Sequence, residues 1–486
     1  MATEIIPQNI ATRNNKDAHG TPSLWVLWWE AMWELRPAFS RIRSFLWFTL
    51  IVAGLTIRTD TLGVASIMRA LKLQDRCYDI LRKQFHGNGV CLDKLTSLWA
   101  ALVLRLFTAP ALCRNGRRVF VGDGIKVGKF GTKMPAVRSL HQQSAHKPTY
   151  IMGHSYQMVS LLVHAGKSVI AVPLAARIHE GIVLCNAHKQ TLLTKMLTLL
   201  DLVSGNAPYI FVADAYYAAR VIILGMLKRG NHVVTRVRNT AVANVPYRHR
   251  GPRKRGRPKR YGRSVKLASL LQGPKTMQQA VSPLYGESNV TLRYAVRDLL
   301  WRPVGQLVRF VAVVHPSRGK WLLLCTDTNL DAVEIIRLYG RRFKIEHTFK
   351  QAVHTIGTFC YRFWMQAMEP VRRGDGNQYL HRQSSAYRRA VERKLRAYHL
   401  YVQAAIIAQG LVQYLAAIFP EAVWRSFGSW LRTIRPYVAP SEFVVAEALR
   451  SKLPHFLASS ENQHPLAKFI MQNQDIENAG IFGMAA

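Results

Sequence analysis

Acidic residues are what this sequence has least of: 27 Asp and Glu stand against 67 Lys and Arg in 486 residues, a formal net charge of +40. Such an imbalance excludes a cationic partner and calls for a polyanion. Nucleic acid fits best, because each phosphate neutralised by Lys or Arg releases condensed counterions. An anionic membrane surface and a ribosomal role are the alternatives on charge alone. Cysteine is also sparse: the six (Cys77, Cys91, Cys113, Cys185, Cys325, Cys360) lie far apart with no C-x-x-C pair, so neither a zinc site nor a disulfide framework is expected, only reduced and mostly buried thiols. Long apolar runs are missing as well. The longest, "SFLWFTLIVAGLTI" at 44–57, falls short of the ~18 residues of a membrane span and reads as a buried helix. The polar start "MATEIIPQNIATRNNKDAHG" lacks the features of a signal peptide, which predicts a cytoplasmic protein without a membrane partner.

With 49% hydrophobic residues the chain can still build a real core. After a loose tail at 1–20, Trp25, Trp28, Trp29 and Trp33 recur at helical spacing, and residues 21–115 read as a helical, DNA-binding region. Within it, "GVASIMRALKLQDRCYDILRKQFHGNG" has the shape of two short helices about a tight turn. From 116 the period shortens. "RRVFVGDGIKV", "YQMVSLLVHAG" and "KSVIAVPLAARI" read as strands, "TLLTKMLTLLDLVSG" as a helix and "PYIFVADAYY" as a further strand, giving an α/β unit with a mixed sheet over 116–243. Residues 244–325 begin with a basic loop, whose positions 248–263 hold nine Lys or Arg and no acid, and continue as β-rich sequence. The α/β pattern resumes over 326–365 with one long amphipathic helix, a helical region follows over 366–455, and 456–486 reads as a tail.

Two of the few acids sit in apolar strands, Asp123 in "VFVGDGIKV" and Asp214 in "YIFVADAYY". Burying an unpaired carboxylate is costly, so each needs a cation, a set of donors or a strand end; capping a neighbouring turn is the plainer alternative. A third acid, Glu346, stands among four basic residues in "YGRRFKIEHTFK". At ~100° per residue, Tyr339, Arg342, Glu346 and Lys350 share one helix face within roughly 80°. Glu346 is then either an i,i+4 surface partner of Arg342 and Lys350 or part of a site. Three carboxylates beside many cations have a definite use with nucleic acid, since hard oxygen ligands hold Mg²⁺ or Mn²⁺, and paired metals activate an attacking oxygen and stabilise a leaving one. "GIKVGK", at 124–129, departs from a phosphate-binding P-loop in spacing and in having Phe130 where Ser or Thr would follow, so no nucleotide cofactor is expected.

Over about 116–360 the sequence resembles the DDE transposases of bacterial insertion sequences, in the cut-and-paste branch whose ribonuclease-H-like core is interrupted by a β-rich insertion. Asp123, Asp214, Tyr339, Arg342 and Glu346 match the family pattern in order and context. The signature lysine, expected seven residues after Glu346, is replaced by Val353, with Lys350 one turn after the glutamate instead. The resemblance implies an α/β fold with helical N- and C-terminal regions, and a polynucleotidyl transferase that cuts DNA at the ends of its own element and joins the 3′-hydroxyls to a target. It implies Asp123, Asp214 and Glu346 as catalytic ligands of two Mg²⁺ or Mn²⁺ ions, and Tyr339, Arg342 and Lys350 as phosphate contacts. Lys126 and the loop residues Arg253, Lys254, Arg255, Arg257, Lys259 and Arg260 are further expected DNA contacts; "RGRP" at 255–258 resembles a minor-groove AT-hook. The implied partners are double-stranded DNA and a second copy in a synaptic dimer, and the implied place is the bacterial nucleoid. Related enzymes hold a flipped base on an aromatic of the insertion, for which Trp301 and Trp321 are the candidates. A transposase-derived DNA-binding protein without catalysis and another ribonuclease-H-like nuclease remain as alternatives.

Overall fold

Residues 23–142, 148–185, 190–248, 259–273, 277–284, 286–428, 433–435, 437–459 and 464–475 are described by a computed structural model of the chain. Apolar strands form the centre of the fold: β1 (Arg117–Gly128), β2 (Tyr150–Ala165), β3 (Ser168–Ile178), β4 (Tyr209–Ala213) and β5 (His232–Val237). β1, β2 and β3 pair antiparallel, while β4 runs parallel to β1 and β5 parallel to β4, so the lateral order is β3-β2-β1-β4-β5. Every residue of β4 is buried, as a strand covered on both faces requires. This large mixed sheet within an α/β fold is consistent with a ribonuclease-H-like DDE architecture.

Helices cover both faces. On one side lies α6 (Leu192–Val203), capped by the Thr191 hydroxyl, which accepts from Thr194 N. Gly122 lets it approach: a Cβ there would stand 2.6 Å from Phe211 and 3.3 Å from Met196 of α6. On the other side, towards Asp123, lies the helix Lys344–Gln351, while the long helix α10 (Ser385–Ile418) runs along the outer strand β3. It is long and apolar enough to cross a membrane, yet 83% of its most apolar window is buried inside the protein.

Beyond β5 the chain extends the same sheet. β6 (Val242–Pro246), β7 (Tyr261–Lys266), β8 (Thr291–Trp301), β9 (Gln306–His315) and β10 (Gly319–Cys325) pair antiparallel in the order β7-β6-β8-β9-β10, and β10 joins β5. The run 44–57 is a buried helix, α2 (Ile42–Ile57). Trp25 and Trp28 are fully buried, and the Trp25 indole donates to Leu449 O at 2.9 Å. N-terminal helices, sheet and C-terminal helices thereby share one continuous core.

Three expectations are corrected. The thiols are not mostly buried: Cys91, Cys113 and Cys185 are exposed and only Cys77 and Cys325 are fully enclosed. The described part of the C-terminal tail is packed, with Leu466, Ala467 and Ile470 of the helix Pro465–Met471 buried, because their apolar face has α2 to cover it. The single long helix over 329–356 is divided into α8 (Ala332–Arg341), α9 (Lys344–Gln351) and a π-turn (Ala352–Ile356). Between α8 and α9 the backbone tightens through i→i−3 bonds, Arg342 N to Tyr339 O at 3.1 Å and Ile345 N to Arg342 O at 3.2 Å.

Candidate active site

The first two acids meet because their strands are neighbours in register. Gly122 of β1 pairs with Ala213 of β4, so Asp123 and Asp214, each one residue further, emerge side by side where β4 ends. In a parallel sheet this carboxyl end is where sites gather. Asp214 opens a 3₁₀ turn and its Oδ1 accepts from Tyr216 N at 3.0 Å; Thr235 Oγ1 of β5 donates to its backbone carbonyl at 2.6 Å. Asp123 Oδ1 accepts from Gly124 N at 2.8 Å. Asp214 therefore does serve its local turn, the Asp123 bond lies within β1, and each carboxylate has a second oxygen for other work.

The third acid arrives from α9, which Asp331 helps to place by capping α8 with bonds to Val333 N and Glu334 N. Arg342 joins the groups: Nη1 donates to Asp123 Oδ2 at 2.7 Å and Nη2 to Glu346 Oε1 at 2.8 Å. The Glu346 side chain is 55% exposed, those of Asp123 and Arg342 only 20% and 18%. Burial pushes the Asp123 carboxyl up to about 6; Arg342 and the Gly124 N–H pull it down, while Asp214 and Glu346 add their repulsion. Burial opposes the Arg342 charge, but Asp123, Tyr339 and Glu346 outweigh it and raise its pKa. Burial likewise raises the Tyr339 phenol against the pull of Arg342 and Arg236.

Among the described residues, no three His, Cys, Asp or Glu groups stand in metal-ligating geometry, because the Arg342 guanidinium lies between Asp123 and Glu346. The donor set nevertheless suits a hard divalent cation. Three carboxylates repel one another at the end of a sheet, and a positive group already occupies the gap between two of them. With the guanidinium displaced, Asp123, Asp214 and Glu346 would be the ligands.

The other expected contacts are dispersed. Tyr339 is half-buried beside Arg342, and Lys350 is exposed one turn after Glu346. Val353 packs half-buried against the core. Strand alternation sends Lys126 to the face opposite Asp123, where it donates to His141 O. Lys259 lies over the Tyr247 ring at 5.9 Å, and Arg260 donates to Gly305 O; both adjoin edge strand β7, seven strand spacings from β1 along the sheet. Arg253, Lys254, Arg255 and Arg257, with the "RGRP" stretch, lie outside the described residues. Trp301 is buried edge-on against Phe310, and Trp321 is half-buried and stacked on His315.

Two site residues escaped the reading of the sequence. Arg236 of β5 is exposed and close enough to act on Tyr339. Its sequence carried little signal, because the strand "HVVTRV" is buried on successive residues and does not alternate, so nothing marks Arg236 as its exposed position. Tyr217 is buried; its hydroxyl accepts from Gln157 Nε2 at 3.2 Å, and burial with Asp123 and Asp214 nearby raises its pKa strongly. Its only sequence signal was its place three residues after Asp214.

Comparison with curated proteins gives no significant match. The family described as DDE superfamily endonuclease matches residues 34–306, a span that contains Asp123 and Asp214 and ends before Tyr339, Arg342 and Glu346. With more than half of its length so matched, and two aspartates paired at the end of a mixed sheet, the chain belongs to the DDE superfamily endonucleases, enzymes of nuclease or transposase type.

Proposed function

We propose that the protein is a transposase of a bacterial insertion sequence, cutting DNA at the ends of its own element and joining the freed 3′-hydroxyls to a target. The observation that carries this reading is the convergence of Asp123 and Asp214 in register with Glu346, tied in through Arg342. Two bound Mg²⁺ or Mn²⁺ ions would supply activation of the attacking oxygen and stabilisation of the leaving one. The chain's own residues do the rest. Asp123, Asp214 and Glu346 hold the ions, Tyr339, Arg342 and Lys350 orient phosphates, and the basic loop that includes Lys259 and Arg260 attracts the DNA backbone. The proposed partners are double-stranded DNA, at element ends and target, and a second copy of the chain when two ends are brought together; light scattering with and without end DNA tests the dimer.

Purified protein given DNA carrying the element ends and Mg²⁺ should yield cleaved ends and strand-transfer products. Asp123→Ala, Asp214→Ala and Glu346→Ala should each abolish both; full activity in all three sinks the proposal. A second reading, a DNA-binding descendant without catalysis, draws on Val353 standing packed where the signature has a lysine. It predicts DNA binding unaffected by metal and no cleavage of any cognate end.

A further inference from the structure

Cations crowd one corner of the molecule with too few acids to pair them. Arg337 and Arg341 stand one turn apart at the end of α8, and Arg114 stands at the Asn115-Gly116 hairpin turn that leads into β1. Glu334 serves two of them: its Oε1 accepts from Arg114 Nε and its Oε2 from Arg337 Nη1. Both carboxylate oxygens are thereby engaged. Arg341 is left over, since its Nη1 is buried without a hydrogen-bond partner among the described residues. Burial lowers the pKa of Arg341; Arg114 repels its charge, Glu334 attracts it and Arg337 repels it again. Burial and Arg341 likewise lower Lys344, and burial, Arg341 and Arg114 lower His164 near the end of β2. A buried guanidinium nitrogen left unpaired costs free energy that a bound anion would recover.

The corner is open to such a ligand: the side chains of Arg337 and Arg114 are 36% and 29% exposed, His164 is exposed and Arg341 is half-buried. Because nothing holds Arg341 Nη1, turning it outward breaks no bond. Strand register sets this corner on the same face of the sheet as Asp123. Arg114 pairs with Arg117, which alternates in phase with Val119, Val121 and Asp123, and His164 stands in phase with Met158, the partner of Asp123 on β2. Arg117 precedes Asp123 by six residues and His164 follows Met158 by six, so both strands put the cluster ~20 Å from Asp123. Guanidinium groups grip a phosphate as they grip a carboxylate, by N–H bonds to its oxygens. We propose that Arg341, supported by Arg114 and Arg337, binds a backbone phosphate of DNA about six nucleotides from the phosphate at the carboxylate site, at ~3.4 Å per nucleotide. This rests on the reading that DNA is the substrate.

The test compares wild type, Arg341→Gln and Arg341→Lys in binding a fluorescein-labelled duplex carrying the element end, in EDTA over a range of salt. Arg341→Gln should lose about tenfold in affinity, the worth of a charge-assisted bond. It should also flatten the plot of log affinity against log salt by ~0.9, the share of one phosphate, and Arg341→Lys should keep the slope. A neutral methylphosphonate linkage about six nucleotides from the cut should weaken wild type in the same way and leave Arg341→Gln unaffected. Without DNA, Arg341→Gln should melt above wild type, because the charge it removes is repelled by Arg114 and Arg337; an arginine kept only for structure would melt lower on replacement. An unchanged slope, no sensitive linkage, or a lowered melting temperature overturns the site. So does inorganic phosphate raising the melting temperature of wild type alone while both chains bind DNA alike, which would give the site to free phosphate. A variant altered in oligomeric state by light scattering, with DNA binding kept, overturns it as well and makes the corner a contact between copies. Failure of wild type to bind the duplex would overturn the DNA reading itself, a result distinguishable from a loss confined to Arg341→Gln.

Discussion

At the residue scale the site is a compromise between charge and burial. Asp123 is mostly buried, faces two other acids and is held by one guanidinium. Its folded pKa, about 6, lies above the ordinary 3.8, so the folded state holds the proton more tightly than the unfolded one. The associated stability is fully present below about 3.8 and is lost as pH rises through about 6. Without metal, therefore, the melting temperature of the wild type should fall relative to Asp123→Asn between these values, as scanning calorimetry across pH 3.5 to 7 would show; parallel pH profiles would contradict the assignment. Arg342 sits where a cation shared by Asp123 and Glu346 would sit. Arg342→Ala should bind Mn²⁺ more tightly than wild type when no DNA is present, read by calorimetric titration, because removing the competing guanidinium leaves the carboxylates free.

At the element scale, the helix carrying Glu346 is braced from distant parts of the chain. Buried Arg58, just after α2, donates through Nε to Ile356 O at 3.0 Å and through Nη2 to Gly357 O at 2.9 Å. Gly357 adopts φ +69°, and a Cβ there would meet Arg58 Nη2 at 2.3 Å. Thr348 Oγ1 reaches Ala171 O of β3 at 2.6 Å, and Gln409 of α10 donates to Thr348 O at 3.0 Å. Arg58→Leu leaves those carbonyls buried without donors and should cost about 3–5 kcal/mol in denaturant unfolding; a loss below about 1 kcal/mol would show the brace to be incidental.

The same elements show how far the sequence could be read. Asp123 and Asp214 were legible because an acid in an apolar strand is conspicuous, and the Arg342–Glu346 pair because i,i+4 spacing is local. Arg58 was not, since its partners lie 298 and 299 residues away, and a lone arginine in a basic chain carries no mark of burial. Arg236 was hidden in the same way among so many cations. The division of the helix at Arg342 was hard to read because Gly340, the glycine nearest to it, still lies inside α8; the break falls where the Arg342 side chain reaches across to Asp123.

For the whole molecule, the net charge of +40 matters more than any one contact. Arg253, Lys254, Arg255, Arg257, Lys259 and Arg260 fall in sequence between β6 and β7, and the described two, Lys259 and Arg260, adjoin edge strand β7. Replacing all six by Ser or Gln should weaken duplex binding alike for every sequence. It should also flatten the plot of log affinity against log salt by up to about 5 in slope, at ~0.9 per phosphate contact. An unchanged slope would show that the loop does not touch the backbone.

The central claim, that Asp123, Asp214 and Glu346 together hold the metal that acts on DNA, is tested most directly by Mn²⁺ uptake measured by electron paramagnetic resonance with end DNA present. Wild type should take up Mn²⁺, and Asp123→Asn, Asp214→Asn and Glu346→Gln should each reduce that uptake by tenfold or more in affinity while the DNA stays bound. Uptake unchanged in all three would contradict the account.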